Sequence, residues 1–451
     1  MFQKIELMEK INRDGKSKGK TYIGYDLGAG YGEISLFTED DLDPVTLPSR
    51  RDADVYHFPC VLVKYKGRFY AGYEAMSLAG EEDAFVFQDL LETAMRQQTI
   101  VVDGQRFDTE YLLGLFLKLT LALPESYGKV EKIGGIMFTT YIEEDPELQA
   151  RVYEVLTRAT SQLFNRKTKL YLQTRSESIY YFLLHQEQEN YHRNALICDY
   201  QKDYLRSYFV QTKGDGKPYV ITVDYKDYPD MRVNAPRAEE LAVASRDTYT
   251  DELFNRIICD LEDHFSFGIS YMIGDGFKGN WMDHSLVTLC EHGKVFQGNN
   301  LYSLGACYSL RQLIAPSEHL EDYIYLSNQD IRYDIGIYCK TQGFLREGSR
   351  QCYMQIFEKG TYYAQCKSTM CLMLEGENRL VVEADPMAGG MPKHLELSLA
   401  SFPNRNTGAS KIRLNLEFVN PTTLSVMIED IGLGEVVPGS GQVVRETFKL
   451  E

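Results

Sequence analysis

The residues of this chain best suited to chemistry lie in the run Asp26-Leu27-Gly28-Ala29-Gly30-Tyr31. A glycine turn between two strands can hold a phosphate, because backbone N–H groups point inward and no Cβ blocks close approach. An aspartate at the strand end can hold a magnesium ion through waters. Read alone, the same run is a hairpin turn in which Asp26 simply closes a strand. Other chemistries lack their signatures. His185, His192, His264, His284 and His292 have no ligand spacing, and no nucleophile-elbow, P-loop or zinc pattern occurs. The nine cysteines form no CxxC pair, and several lie inside apolar runs, as in Ile197-Cys198 and Ile258-Cys259. Buried reduced thiols account for them better than a disulfide framework or a zinc site.

Charge narrows the partners. The formal net charge is −17, whereas nucleic-acid binding needs a clustered cationic surface and anionic membranes attract basic segments. Neither nucleic acid nor membrane is an expected partner. The first twenty residues carry Lys10, Arg13, Lys16, Lys18 and Lys20 without the apolar stretch of a signal peptide. No apolar segment is long enough to span a bilayer, so the expectation is a cytoplasmic protein.

The elements that must position Asp26 follow from hydrophobic pattern. Tyr22–Asp26 and Glu33–Phe37 read as strands of one hairpin, and Cys60–Tyr65 with Arg68–Ala71 as another, turning at Lys66-Gly67. A helix follows Phe107-Asp108-Thr109, with Tyr111, Leu112, Leu115, Phe116 and Leu119 at helical spacing. Strand Lys132–Thr140 precedes Asp145-Pro146, a cap with proline in the first turn. The pattern then repeats. Ala195–Asp199 is a strand, Leu205–Gln211 and Tyr219–Asp224 continue it, Asp251–Phe265 is an amphipathic helix, and Ser270–Ile273 is a strand closing on Gly274-Asp275-Gly276. Leu301–Leu313 is the last helix. Beyond Ala315-Pro316-Ser317 the period becomes two, as in Ile412–Phe418 and Leu424–Ile428, which predicts an antiparallel β-sandwich.

In this order the signals resemble the superfamily of actin, sugar kinases and heat-shock chaperones of the DnaK type, as a divergent bacterial member. Gly24–Leu36 resembles its first phosphate loop. Residues 58–80 look like the chaperones' proline-led strand pair ending at a glycine and a short helix. Ser176-Glu177-Ser178-Ile179-Tyr180-Tyr181 is similar to the connecting motif, Cys198-Asp199 falls at the second phosphate loop, and Ile273-Gly274-Asp275-Gly276 resembles the adenosine turn. Leu395-Glu396-Leu397, Phe402-Pro403 and the strands from Ile412 to Asp430 look like part of a chaperone substrate-binding β domain.

The resemblance implies a duplicated actin-like (ribonuclease H-like) ATPase fold of class α/β with a cleft between its lobes. A tail would cover residues 1–20, the first lobe 21–190, a reduced second lobe 191–315, a linker 316–325 and the β-sandwich 326–451. It implies ATP or ADP with Mg2+ as ligands, and a protein or peptide partner for the β domain. Asp26, Leu27, Gly28, Ala29, Gly30, Tyr31, Gly274, Asp275 and Gly276 would contact the nucleotide. Asp26 and Asp199 would bind metal. Glu177 and Asp199 would be catalytic, Glu177 orienting the attacking water; the other reading of Glu177 is a helix cap.

Three departures weaken hydrolysis. Ala29 and Gly30 stand where the family has threonine or serine. Asp199 is followed by Tyr200-Gln201-Lys202-Asp203-Tyr204 in place of glycines, and Lys202 is either a substitute phosphate-binding cation or a solvated loop lysine. The stretch from Asp199 to Gly274 is short for an adenine-clamping subdomain. Beyond these three, the family's catalytic lysine has no counterpart in Phe87–Glu92, which weakens hydrolysis further. Two functions remain in play: a chaperone-like nucleotide-binding protein with a degenerate ATPase cleft, and a pseudo-ATPase scaffold.

Overall fold

A computed structural model of the chain describes residues 19–41, 43–50, 55–102, 104–127, 132–143, 145–161, 168–186, 193–201, 204–213, 217–231, 243–298, 300–341, 350–374, 379–387, 390–403, 410–435 and 437–450. Residues 1–18 of the expected tail and Lys202 lie outside them. Contacts divide the chain into one unit of residues 1–212 and 223–321 and another of 213–222 and 322–451. No helix among the described residues is long and apolar enough to cross a membrane.

The first unit is mixed α/β. Its opening hairpin joins β1 (Thr21–Leu27) to β2 (Tyr31–Thr38), and β3 (Val45–Thr46) and β4 (His57–Pro59) both pair with β2. A small sheet follows, of β5 (Leu62–Tyr65), β6 (Arg68–Ala71) and β7 (Phe85–Phe87), with helices α1 (Gly72–Leu78) and α2 (Leu90–Met95). The expected turn at Lys66-Gly67 is there, with both residues at positive φ, as a tight two-residue hairpin requires. Hairpin β8 (Thr99–Val102) and β9 (Gln105–Asp108) leads into α3 (Thr109–Tyr127). Asp108 caps α3, its carboxylate accepting from the N–H groups of Glu110 and Tyr111. The buried stripe of α3 is Leu112, Leu113, Phe116, Leu117 and Leu121, while Tyr111 is 54 % and Leu119 39 % exposed. The face is thus rotated from the expected one.

Next come β10 (Ile133–Thr140), α4 (Pro146–Thr160), β11 (Lys169–Thr174) and α5 (Arg175–Leu184). Asp145 caps α4 as its sequence indicates. The main sheet runs β11-β10-β1-β2-β3, with β1, β10 and β11 parallel and β2 antiparallel.

The second sheet begins with β12 (Ala195–Tyr200), β13 (Leu205–Lys213) and β14 (Tyr219–Tyr228). Helix α6 (Val243–Glu262), longer than the expected Asp251–Phe265, leads to β15 (Ile269–Ile273), α7 (His284–His292), β16 (Lys294–Gln297) and α8 (Leu301–Ile314). Here β12 pairs antiparallel with β13 and parallel with β15, and β15 parallel with β16. The order β14-β13-β12-β15-β16 matches β3-β2-β1-β10-β11 strand for strand.

Helix α8 lies on β1, β2 and β10 and against α5. Tyr22, Phe37, Met137, Ala306, Cys307 and Leu310 form the apolar contact. A Cβ on Gly305 would fall 2.0 Å from the Ser178 carbonyl oxygen, so only glycine lets α8 approach α5 this closely.

In the second unit, β17 (Tyr323–Leu326) pairs parallel with Tyr219–Thr222 of β14. The stretch expected as linker is therefore a 3-10 turn over Glu318–Asp322 followed by a strand. Two antiparallel sheets follow. One is β19 (Arg350–Phe357), β18 (Tyr333–Thr341), β21 (Arg379–Pro386) and β22 (Lys393–Ser398); the other is β20 (Lys367–Leu374), β23 (Ser410–Asn420), β24 (Thr423–Asp430) and β25 (Val443–Lys449). Ile335, Ile337, Val382 and Leu397 of the first sheet and Ile412, Leu414, Val426 and Ile428 of the second share one core. The period of two read in the sequence marks this inner face.

Candidate functional site

A cavity of about 300 Å3 opens in the first unit, where the ends of β1 and β12 meet the start of α5. Asp26, Gly28, Ala29, Gly30, Tyr31, Asp199, Gly274 and Asp275 all line it. Leu27 is buried and faces a much smaller void beside Phe116 and Tyr141. Gly276 does not line the cavity. A Cβ there would sit 2.3 Å from the Tyr200 ring, which packs between the turn and Phe277 and Trp281. Tyr200 therefore points away from the cavity, while Gln201 and Tyr204 reach it.

Glu177 is used elsewhere. Thr174 is the N-cap of α5; its hydroxyl accepts from the Glu177 N–H at 3.0 Å, and the Glu177 carboxylate accepts from the Thr174 N–H at 2.7 Å. This reciprocal capping box sets the first turn of α5. Glu177 is not among the residues that line the cavity.

The side chain that governs the site is Arg175, the first residue of α5, which the sequence reading passed over. Its guanidinium is buried between the two strand-end aspartates. Nε and Nη2 donate to the Asp26 carboxylate at 3.3 and 3.0 Å, and Nη1 donates to Asp199 Oδ2 at 3.1 Å. It also lies 4.3 Å from the ring centre of Tyr302 on α8, a cation–π contact in a desolvated setting. The Tyr302 hydroxyl donates to Asp199 Oδ2 at 2.9 Å, and Gln201 donates to Oδ1. Burial pulls the Arg175 pKa down, but Asp26, Tyr302 and Asp199 outweigh it and hold the guanidinium charged. Burial pushes the Asp26 carboxyl up, and Arg175 offsets only part of that rise.

A third carboxyl faces the same place. The hairpin register sets Glu33 on β2 directly opposite Asp26 on β1, and like charges at such a position repel. Glu33 is 4 % exposed, and its Oε2 has no hydrogen-bond partner. Burial first, and Asp26 second, push the Glu33 carboxyl well above the usual range, and Arg175 and a bond from Ser303 offset only part of that rise.

On the far wall, His57 Nε2 lies 3.6 Å and Lys278 Nζ 2.8 Å from Asp275 Oδ1. Burial lowers the His57 pKa, Asp275 opposes that, and the neighbouring Lys278 adds to it. Gln88 and Asp89 occupy the wall where the chaperone resemblance would put a lysine.

The geometry does not fit a water-coordinated magnesium ion on Asp26 and Asp199, because Arg175 already fills the space between them. Among the described residues, no group of three or more His, Cys, Asp or Glu side chains is placed to hold a metal. The first loop is likewise engaged. The Gly28 N–H donates to the Tyr31 carbonyl at 3.1 Å, closing the hairpin on itself.

Residues 43–328 match a family model described as the C-terminal part of a family of unknown function, DUF5716. Residues 331–450 match a domain of unknown function, DUF8552. No curated protein matches the chain.

Proposed function

This chain belongs to the family of unknown function DUF5716, and we propose that it is a pseudo-ATPase: a degenerate actin-like fold whose metal and phosphate position is taken by an internal ion pair, serving as an interaction scaffold. The observation that carries this reading is Arg175. Its guanidinium spans Asp26 and Asp199, the two strand ends between which a nucleotide-binding member would hold metal and phosphate. An internal cation that bridges both carboxylates stands where an external metal would have to sit. The matching strand orders of the two sheets support the actin-like assignment, as does the position of α5 between β11 and β12.

The β-rich unit would then supply the interaction surface for a protein or peptide. Tyr338 and Tyr353 support this, since they form an exposed ring pair on neighbouring strands, and exposed aromatics are enriched at contact sites.

A second reading is a chaperone-like protein that still binds Mg2+·ATP and hydrolyses it weakly. It is favoured by the glycine loop and Asp275 lining an open cavity. One experiment separates the two. Under the scaffold reading, Mg2+·ATP at millimolar concentration leaves the melting temperature unchanged and phosphate release equals buffer. A rise abolished by Asp26→Ala would refute it and favour the second reading.

A further inference from the structure

The cavity wall carries a surplus of negative charge that the internal bridge does not cancel. Asp26 and Asp199 share one guanidinium, which leaves that trio one charge negative. Asp275 is matched by Lys278. Asp89 adds a further carboxylate. It precedes α2 at a position where aspartate usually caps a helix, yet its side chain makes no capping bond and its backbone is held at φ +49°. Asp89 thus lines the cavity with a carboxylate that its own helix does not use. Glu33 is the independent observation: a carboxyl nine-tenths buried, lining the cavity, with Oε2 unpartnered.

We propose that this cavity binds a small organic cation, a primary amine or guanidinium, with Asp89 at the rim and Glu33 and Asp26 at the buried end as its partners. The inference rests on reading the cleft as closed to nucleotide. Polyphosphates meet an uncompensated carboxylate surplus here, whereas an ammonium group neutralises it and supplies the donor that Glu33 Oε2 lacks. Tyr31 and Tyr204 also line the wall. Size agrees. A space of about 300 Å3 corresponds to roughly ten water volumes, enough for a linear diamine or an aminoalkyl guanidine.

The test is calorimetric titration of the full chain with agmatine and spermidine, with 1-butanol as the neutral control. Binding of at least one amine at micromolar to millimolar Kd is expected, weakening as salt is raised, with none for butanol. Asp89→Asn keeps the backbone conformation, since asparagine tolerates positive φ, and should weaken the amine about fivefold to tenfold. Silence for both amines, equal binding of butanol, or an unchanged Kd in Asp89→Asn would overturn the proposal. The closed-cleft reading fails differently, by a response to Mg2+·ATP.

Discussion

Replacing Arg175 with methionine tests whether the guanidinium holds the cleft together. Methionine keeps most of the aliphatic stem and removes the charge and all three hydrogen bonds to Asp26 and Asp199. Removing one partner of a buried ion pair costs about 3–5 kcal/mol, because the remaining charge is stranded. For a unit of this size, that corresponds to a fall in Tm of roughly 6–15 °C at about 2–3 °C per kcal/mol. The loss should depend on pH. Burial already raises the Asp26 carboxyl with Arg175 in place, and without Arg175 it rises further. A carboxyl with a raised folded-state pKa contributes stability that is fully present below its unfolded value and lost as pH rises through the folded one. The deficit of Arg175→Met should therefore be largest at about pH 8 and shrink toward about pH 5. Thermal unfolding followed by circular dichroism across that range measures it. Adding Asp26→Asn and Asp199→Asn to Arg175→Met should recover most of the loss, since no buried charge is then left unpaired. A Tm fall below about 2 °C, a deficit independent of pH, or no recovery in the triple variant would show that the bridge does not bear this load.

Three further substitutions probe the surroundings of the bridge. Glu33→Gln removes a carboxyl whose pKa burial and Asp26 hold well up; it should stabilise the protein above neutral pH and do nothing below about pH 4.5, as urea unfolding at the two pH values would reveal. Gly305→Ala forces a methyl within 2.0 Å of the Ser178 carbonyl oxygen; a loss of about 1–3 kcal/mol in denaturant unfolding is expected. Asp251 is buried on α6 and accepts from the N–H groups of Asp283, His284 and Ser285 at the start of α7. Burial pushes its carboxyl up, but bonds from Ser285, His284 and Asp283 outweigh that and hold it below the usual range. Its contribution is thus present above about pH 4 and lost as pH falls through the depressed value. Asp251→Ala should cost about 2 kcal/mol at neutral pH and progressively less in acid.

Elements set by local pattern were legible. The β1–β2 hairpin, the Lys66-Gly67 turn, the Asp145-Pro146 cap and the period-two strands of the second unit each follow from neighbours in sequence. Even the Asp26–Glu33 confrontation could be read, because a turn over residues 28–31 sets those positions opposite each other. Among what escaped were the short elements β7, α2, β8, β9 and β11, α7 with β16, where His284–Gln297 offers only a short run of each period, and the face of α3, where Leu113 and Leu117 compete with Tyr111 and Leu119 for burial.

Arg175 escaped for a different reason. Its partners lie 149 and 24 residues away, and no local rule names them. A local rule does mark the position as unusual. The N-terminus of a helix is electropositive, so a cation in its first turn is unfavourable unless something else compensates. Thr174 and Glu177 satisfy the cap by themselves, so Arg175 contributes nothing to starting α5 and opposes its dipole. A residue that breaks the local preference without a local gain points to a distant partner. The two aspartates that end β1 and β12 were the available anions. Together those sequence features place the arginine between the two aspartates, an internal ion pair where a metal site is expected.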